Sequence, residues 1–371
     1  MHADQEAIES GQRVEWSAED NYKFRMAELQ QPLIEWLERN PGVIQPRGMY
    51  ERVLAEVRSG LADLSVSRPR ARLHWGVPVP GDSEHTMYVW IEALANYLTA
   101  VGYPARAAAW PADVHVVGKD IVRFHAVYWP ALLLAAGLPL PRQIVAHAHW
   151  TVERAKMSKS KGNSVDPFSA IDTYGMDAVR FFLMRVGGNL ATDADYSDAM
   201  LAEFQRKYLQ GQLGNLLSRV LAPKIQSRLV GVARDGALPQ PRGDRASLVA
   251  LPPLFDRHMG RCEISKALAA AFDVVGTANE RVQHAAPWAA DTPLDVVHAA
   301  VYDSVETLRT VGTLLQPFMP APMARLLDLL GVPPALRTWP GLVDDSGELR
   351  LRAAVPLRTE PGKIAPLFPR V

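Results

Sequence analysis

The chain has 371 residues, with 40 Lys and Arg against 40 Asp and Glu, so its formal net charge is zero. A composition that is 48% apolar and 22% charged excludes wholesale disorder and collagen-like structure, and the length suits two or three domains. Zero balance also excludes binding nucleic acid through uniform basicity, so any such partner must be held by local patches. One cysteine, Cys262, excludes an internal disulfide framework and a Cys-cluster zinc site. The longest apolar run, Ala126 to Pro141, is broken by Pro130, Gly137 and Pro139 and is too short to span a bilayer, so no membrane partner is expected. The first twenty residues carry six acids against Arg13 alone, which fits neither a transit peptide nor a signal peptide.

Taken in chain order, Glu19 to about Leu61 has helical spacing (Leu29, Leu33, Ile34, Trp36, Leu37), broken at Asn40-Pro41-Gly42. Residues 62–90 read as short segments and turns. Val114–Val117 is expected to be a short buried strand, Lys119 to Leu134 a helix, and Gln143–Ala146 a second strand. Pro167 to Arg185 is expected to be a helix with Asp166 as N-cap and Pro at its first position. Strands separated by helices argue for a parallel α/β sheet, but two strands are too few for a complete doubly wound domain. Beyond Asp195 the period becomes helical throughout: Leu201, Phe204, Tyr208, Leu213, Leu216, Val220, then Val297, Val301, Val305, Leu308, Val311 and Leu315. That pattern predicts an all-α bundle with Pro-rich breaks near 237–253 and 285–293, followed by a weakly periodic tail over 331–371.

The densest chemical signal is Lys156-Met157-Ser158-Lys159-Ser160-Lys161-Gly162-Asn163, placed after the second strand at the carboxyl edge where α/β sheets bind ligands. Lysine ammoniums are mobile point charges suited to phosphate oxygens, and Gly162 gives the loop a hinge. In the bundle, Asn215 and Arg219 lie four apart on one helix face. Residues 201–230 carry Arg206, Lys207, Arg219, Lys224 and Arg228 against Glu203, a local basic patch able to meet phosphate. His147 and His149 lack a neighbouring cysteine or carboxylate, and a metal site there is rejected.

The lysine-rich octet resembles the second signature of class I aminoacyl-tRNA synthetases. Gly118-Lys119-Asp120-Ile121-Val122-Arg123-Phe124-His125 resembles the methionyl branch of that family. So do Asp63–Arg68, Trp75-Gly76-Val77-Pro78, Tyr88-Val89-Trp90 with Ala93 and Tyr97, and Ala286-Pro287-Trp288. The matches cover roughly residues 15–330. Leucyl, isoleucyl, valyl and cysteinyl enzymes differ at the Gly118–His125 octet. The resemblance implies the carboxyl-terminal half of a class I Rossmann-like catalytic domain followed by an all-α anticodon-binding bundle. Its divisions fall at 1–75 (end of a connective insert), 76–195 (catalytic half), 196–330 (bundle) and 331–371 (tail).

For activity, the resemblance implies ATP-dependent activation of methionine and its transfer to tRNA(Met). Trp90, Ala93, Tyr97, Ile121 and His125 are implied to line the methionine pocket, where aromatic faces suit a thioether. His147, Lys156, Met157, Ser158, Lys159 and Ser160 are implied to bind ATP with its Mg²⁺. Lys156 and Lys159 would stabilise charge developing on pyrophosphate, a task of positioning and electrostatics that needs no protein nucleophile. Asn215, Arg219 and Trp288 are implied to read the anticodon; an indole or guanidinium can stack on unstacked bases. Read without the motif, each pocket aromatic is ordinary core, and Asn215 and Arg219 belong to a solvated helix face.

Two departures stand out. The first class I signature, His-x-Gly-His, is absent: no two of the ten histidines are three apart. Glu92 stands where the family usually has Asp. The expectation is therefore an N-terminally truncated ligase, inactive alone, with a non-catalytic tRNA-binding module as the alternative. The insert without zinc cysteines resembles organellar members, implying the mitochondrial matrix, with bacterial cytoplasm as alternative.

Overall fold

Three parallel strands organise residues 1–147, the first of two units into which the chain divides; the second is 148–371. The structure, a computed structural model, describes residues 19–157, 163–356 and 365–369, with the backbone alone of the strands Gln5–Glu6 and Arg13–Val14. Ile144–His147 lies in the middle of the sheet, flanked by Ile44–Gln45 and His115–Gly118. Its register sets Ile144 opposite both Ile44 and His115, and His147 opposite Gly118. The middle strand is covered on both faces, with Ile144, Val145 and Ala146 buried, as parallel sheets require. The outer strand differs from the buried strand expected there. It alternates, with His115 and Val117 buried and Val116 69% exposed.

The stretch expected to be helical over 19–61 breaks into Gln30–Arg39 and Arg47–Ser59 with the strand Ile44–Gln45 between them. The helices bury Leu33, Leu37, Tyr50, Val53 and Val57 against Ile44, Val117, Val122 and Ile144. Each such side chain stabilises by about 1.5–3 kcal/mol. The expected helix after Gly118 is also irregular: a 3₁₀ turn at Lys119–Ile121, a wide π turn at Phe124–Tyr128, then α-helix Trp129–Ala135. Pro130 has no N–H to give the carbonyl four residues earlier, so the regular ladder fails ahead of it. A second cluster, Leu94, Trp110, Trp129 and Leu133, seats the helix Val89–Ala100.

In residues 148–371, the hairpin Trp150–Val152/Ala155–Lys156 pairs in parallel with Ala194–Asp195. Asp166 caps the next helix as expected, its Oδ1 accepting the Phe168 N–H at 3.0 Å. That helix ends at Tyr174, because Gly175 adopts a left-handed φ of 83°, and a separate helix runs Met176–Gly187. The bundle follows, with long helices Ile264–Ala285 and Leu294–Leu315. The expected stripe Val297, Val301, Val305, Leu308, Val311 and Leu315 is buried throughout.

The 331–371 segment contributes to this core through Leu342, Val343, Leu349, Val355, Leu367 and Phe368. Its strand Ala354–Pro356 pairs with Ala237–Pro239. The attachment is partly ionic. Glu306, fully buried, accepts from Arg309 at 2.9 Å and from Arg352 Nε at 2.6 Å. Removing the carboxylate leaves two poorly hydrated guanidiniums without their counter-charge, which costs about 3–5 kcal/mol. Glu306→Ala is therefore expected to lower the melting temperature of the 148–371 unit by several degrees in calorimetry, and Glu306→Gln by less.

Candidate functional site

Helix Val89–Ala100 carries Trp90, Ala93 and Tyr97 at intervals of three and four, so they share one face. Ala93 is exposed, and Trp90 and Tyr97 are half-buried. The irregular segment after Gly118 supplies the facing groups. Trp90 stacks on Phe124, with ring centroids 3.8 Å apart and planes 15° apart, and meets His125 edge-on at 6.1 Å. The Tyr97 hydroxyl lies 2.8 Å from His125 Nε2, and His125 Nδ1 lies 2.9 Å from the Ile121 carbonyl. A carbonyl only accepts, so Nδ1 carries the proton and Nε2 accepts from Tyr97. Four of the five expected pocket residues thus form one connected group: Trp90, Tyr97, Ile121 and His125. Ala93 sits on the same helix face.

Burial keeps this group neutral. It lowers the His125 pKa, which the Ile121 carbonyl partly offsets, and raises that of the Tyr97 hydroxyl. Behind them lies His115, 4.5 Å from the Tyr97 ring and 5.9 Å from His125. Burial, and secondarily repulsion from His125, lower the His115 pKa to about 4. Its Nε2 has no hydrogen-bond partner among the described residues. His147 is exposed at the carboxyl end of the middle strand, opposite Gly118 in the register.

In the second unit, Glu153 and Arg154 both have positive φ (52° and 61°) and form the two-residue turn of the hairpin. Asp195 Oδ1 accepts from Thr151 Oγ1 at 2.7 Å and from the Arg154 N–H at 3.0 Å, which holds its carboxyl below the usual range. Thr151 pairs with Lys156, so the same bonds fix the lysine's place in the ladder. Met157 is half-buried against the cluster of Ala170, Val179, Phe182, Tyr196 and Leu201. Asn163 Nδ2 donates to the Lys156 carbonyl at 3.2 Å, closing the base of the loop. Ser158, Lys159 and Ser160 lie outside the described residues.

In the bundle, Asn215 and Arg219 share helix Asn215–Val220, and the Arg219 guanidinium sits 5.6 Å from the Trp288 ring centroid. Asn215 Nδ2 donates to Asn279 Oδ1 at 3.2 Å, and Asn279 in turn donates to the carbonyls of Gln212 and Val275. Asn215 also borders an open cavity of about 980 Å³, shared with Tyr174, Glu203, Gln205, Arg206 and Gln210. A ten-residue π-helix, Gln205–Gly214, forms part of its wall.

Sequence reasoning did not single out Phe124, His115, Asn279 or Asp195. Phe124 lies inside the Gly118–His125 octet and was accessible; the other three become visible only through contacts distant in sequence. Among the described residues, no cluster of three His, Cys, Asp or Glu side chains could hold a metal ion, and no helix is long and apolar enough to cross a membrane.

The family profile "tRNA synthetases class I (M)" matches residues 3–221. A probable mitochondrial methionine–tRNA ligase of Neurospora crassa is 44% identical over 354 residues, covering 90% of this chain and 57% of that protein. A methionine–tRNA ligase of Brucella suis is 41% identical over 335 residues, covering 87% of this chain and 63% of that protein. The chain thus spans about three-fifths of the length of these relatives. Mycobacterium tuberculosis methionyl-tRNA synthetase in complex with methionyl-adenylate superposes with a TM-score of 0.80 at 35% identity, covering 100% of this chain and 72% of that one.

The histidine pair makes stability depend on pH. The pKa of His115 is lowered from 6.5 to about 4 in the fold, so below pH 6.5 the unfolded chain takes up a proton that the native state refuses. The His115 contribution to stability should fall as pH drops from about 6.5 towards 4. In urea titrations across that window, His115→Phe is expected to have a shallower pH slope than the parent.

Proposed function

Because this chain belongs to the methionyl-tRNA synthetase family of class I tRNA synthetases, we propose that it serves methionine–tRNA ligation, binding methionine in the first unit and the tRNA(Met) anticodon in the second. The observation that carries the first half is the neutral, interlocked group of Trp90, Tyr97, Ile121 and His125. It offers an apolar, aromatic surface to a thioether and no charge to a competing acidic or basic side chain. Ala93, on the same face, leaves room beside the two aromatic rings.

In this reading methionine carboxylate attacks the α-phosphate of ATP. His147 meets the adenosine side, and Lys156 and Lys159 meet the polyphosphate as charge develops on pyrophosphate. Mg²⁺ accompanies the nucleotide as part of the substrate. Met157 is half-buried against its own cluster, and Ser158 and Ser160 are proposed as further ATP contacts. In the bundle, Trp288 and Arg219 form a stacked pair facing an anticodon base, and Asn215, held by Asn279, supplies an amide edge. Mitochondrial relatives favour the mitochondrial matrix, with bacterial cytoplasm as the alternative.

The missing His-x-Gly-His removes phosphate-binding donors that the chemistry needs, at a cost of several kcal/mol in the transition state. In this reading the polypeptide by itself does not activate methionine at a useful rate and activation requires that signature to be supplied, with a non-catalytic tRNA-binding module as the alternative. Two measurements test the pair of statements. The chain should bind a methionine-anticodon stem-loop while ATP–pyrophosphate exchange stays at background; methionine-dependent exchange by the chain alone overturns the second statement. In a version completed with the first signature, Lys156→Ala should lower exchange about 10²- to 10³-fold with methionine KM little changed. Unaltered exchange in that variant removes Lys156 from the chemistry.

A further inference from the structure

Arg228, one of the five bases in the 201–230 patch, makes a set of bonds unlike those of a surface phosphate ligand. It lies in the 3₁₀ turn Ser227–Leu229, with Leu229 and Ile225 buried on either side to anchor the backbone. Its guanidinium reaches into the loop between helices Ile264–Ala285 and Leu294–Leu315. There Nη1 donates to the carbonyls of Pro287 (2.6 Å) and Ala289 (2.5 Å), and Nη2 to those of Thr292 (2.6 Å) and Ala290 (3.4 Å). No carboxylate among the described residues pairs with it.

The loop depends on that cation. It opens with Ala286 in the left-handed region (φ 41°), and Thr292 Oγ1 donates back to the Ala286 carbonyl at 2.9 Å. Turning four carbonyl dipoles towards one point is unfavourable unless positive charge and several donors lie there. A guanidinium provides both in a planar fork. Trp288 stands between the first two acceptors, Pro287 and Ala289, so its backbone is fixed on both sides. Its ring is met by Arg219 at 5.6 Å.

We propose that Arg228 is the positioning residue for Trp288: it does not touch RNA, but holds the loop that aims the indole at the anticodon. This rests on the reading of Trp288 as an anticodon contact, and deepens it. The competing role is the one its place in a basic patch suggests, a direct phosphate contact.

The two roles separate in binding experiments on this chain, using the methionine-anticodon stem-loop and a second stem-loop with one anticodon base changed. Trp288→Ala is expected to weaken the matched stem-loop about tenfold and to erase most of the preference for it. Arg228→Ala and Arg228→Lys should both lose preference nearly as far, because a lysine keeps the charge but cannot fork across four carbonyls. The double variant with Trp288→Ala should lose nothing more. The slope of log Kd against log salt should stay at the parent value in both Arg228 variants, because no phosphate contact has gone.

Arg228→Lys keeps the charge and the side-chain stem and carries the test if the alanine variant fails to fold. Parent-like preference in Arg228→Lys, or a salt slope in Arg228→Ala reduced by about 0.7–0.9, overturns the positioning role while leaving Trp288 in place. Parent-like preference in Trp288→Ala overturns the anticodon reading and this inference together.

Discussion

The parallel pairing that sets His147 opposite Gly118 fixes where the candidate site residues of the first unit emerge. Parallel neighbours end at the same edge, so the chain leaving Gly118 and the histidine ending the middle strand emerge side by side. Gly118 hands directly to the short turns that carry Ile121, Phe124 and His125. Those turns are irregular where a regular helix would place Phe124 and His125 differently, and π turns tend to occur where function fixes a side chain's direction. The buried Ile144–Ala146 segment anchors this edge, and a register slip of one residue would turn His115 outwards and Val116 inwards.

In the bundle, charge is used differently from what its sequence distribution suggests. Five bases within thirty residues read as a phosphate-binding face, but their roles in the fold diverge. Arg228 neutralises loop carbonyls, Arg219 lies against an indole, and Arg206 borders the open cavity beside Asn215. The free positive surface is therefore smaller than the charge count. A chain with zero net charge has no long-range positive field to add to these local groups.

Sequence periodicity was most informative where elements are long. The stripe from Val297 to Leu315 and the cap at Asp166 appear in the fold as the pattern predicts. It failed where elements are too short to show a period. Ile44–Gln45 is two residues long and lies inside a helical pattern, yet supplies the third strand of the sheet. Gly175 splits one expected helix in two through a single positive φ. The tail appeared aperiodic because its apolar residues are seated one at a time in a pre-existing core. At the candidate site the motif residues were legible, whereas their supports were not. Asp195 lies 41 residues from Arg154, and Asn279 lies 64 from Asn215, so only folding brings them together.

The lysine hairpin shows why such supports exist. Glu153 and Arg154 both occupy the left-handed region, a conformation that costs non-glycine residues about 1–2 kcal/mol each. The twist of that turn matches the twist of the two strands, which a turn of the opposite hand would splay. Asp195 then accepts from both sides of the hairpin, from the Thr151 hydroxyl and from the amide of the strained Arg154. Both bonds act against the strain of the turn. What the arrangement secures is the ladder position of Lys156 across from Thr151, with Asn163 tying the far end of the loop to the same lysine's carbonyl. Lys156 and Asn163, the two residues that flank the lysine-rich segment, are thereby held at fixed places in the fold.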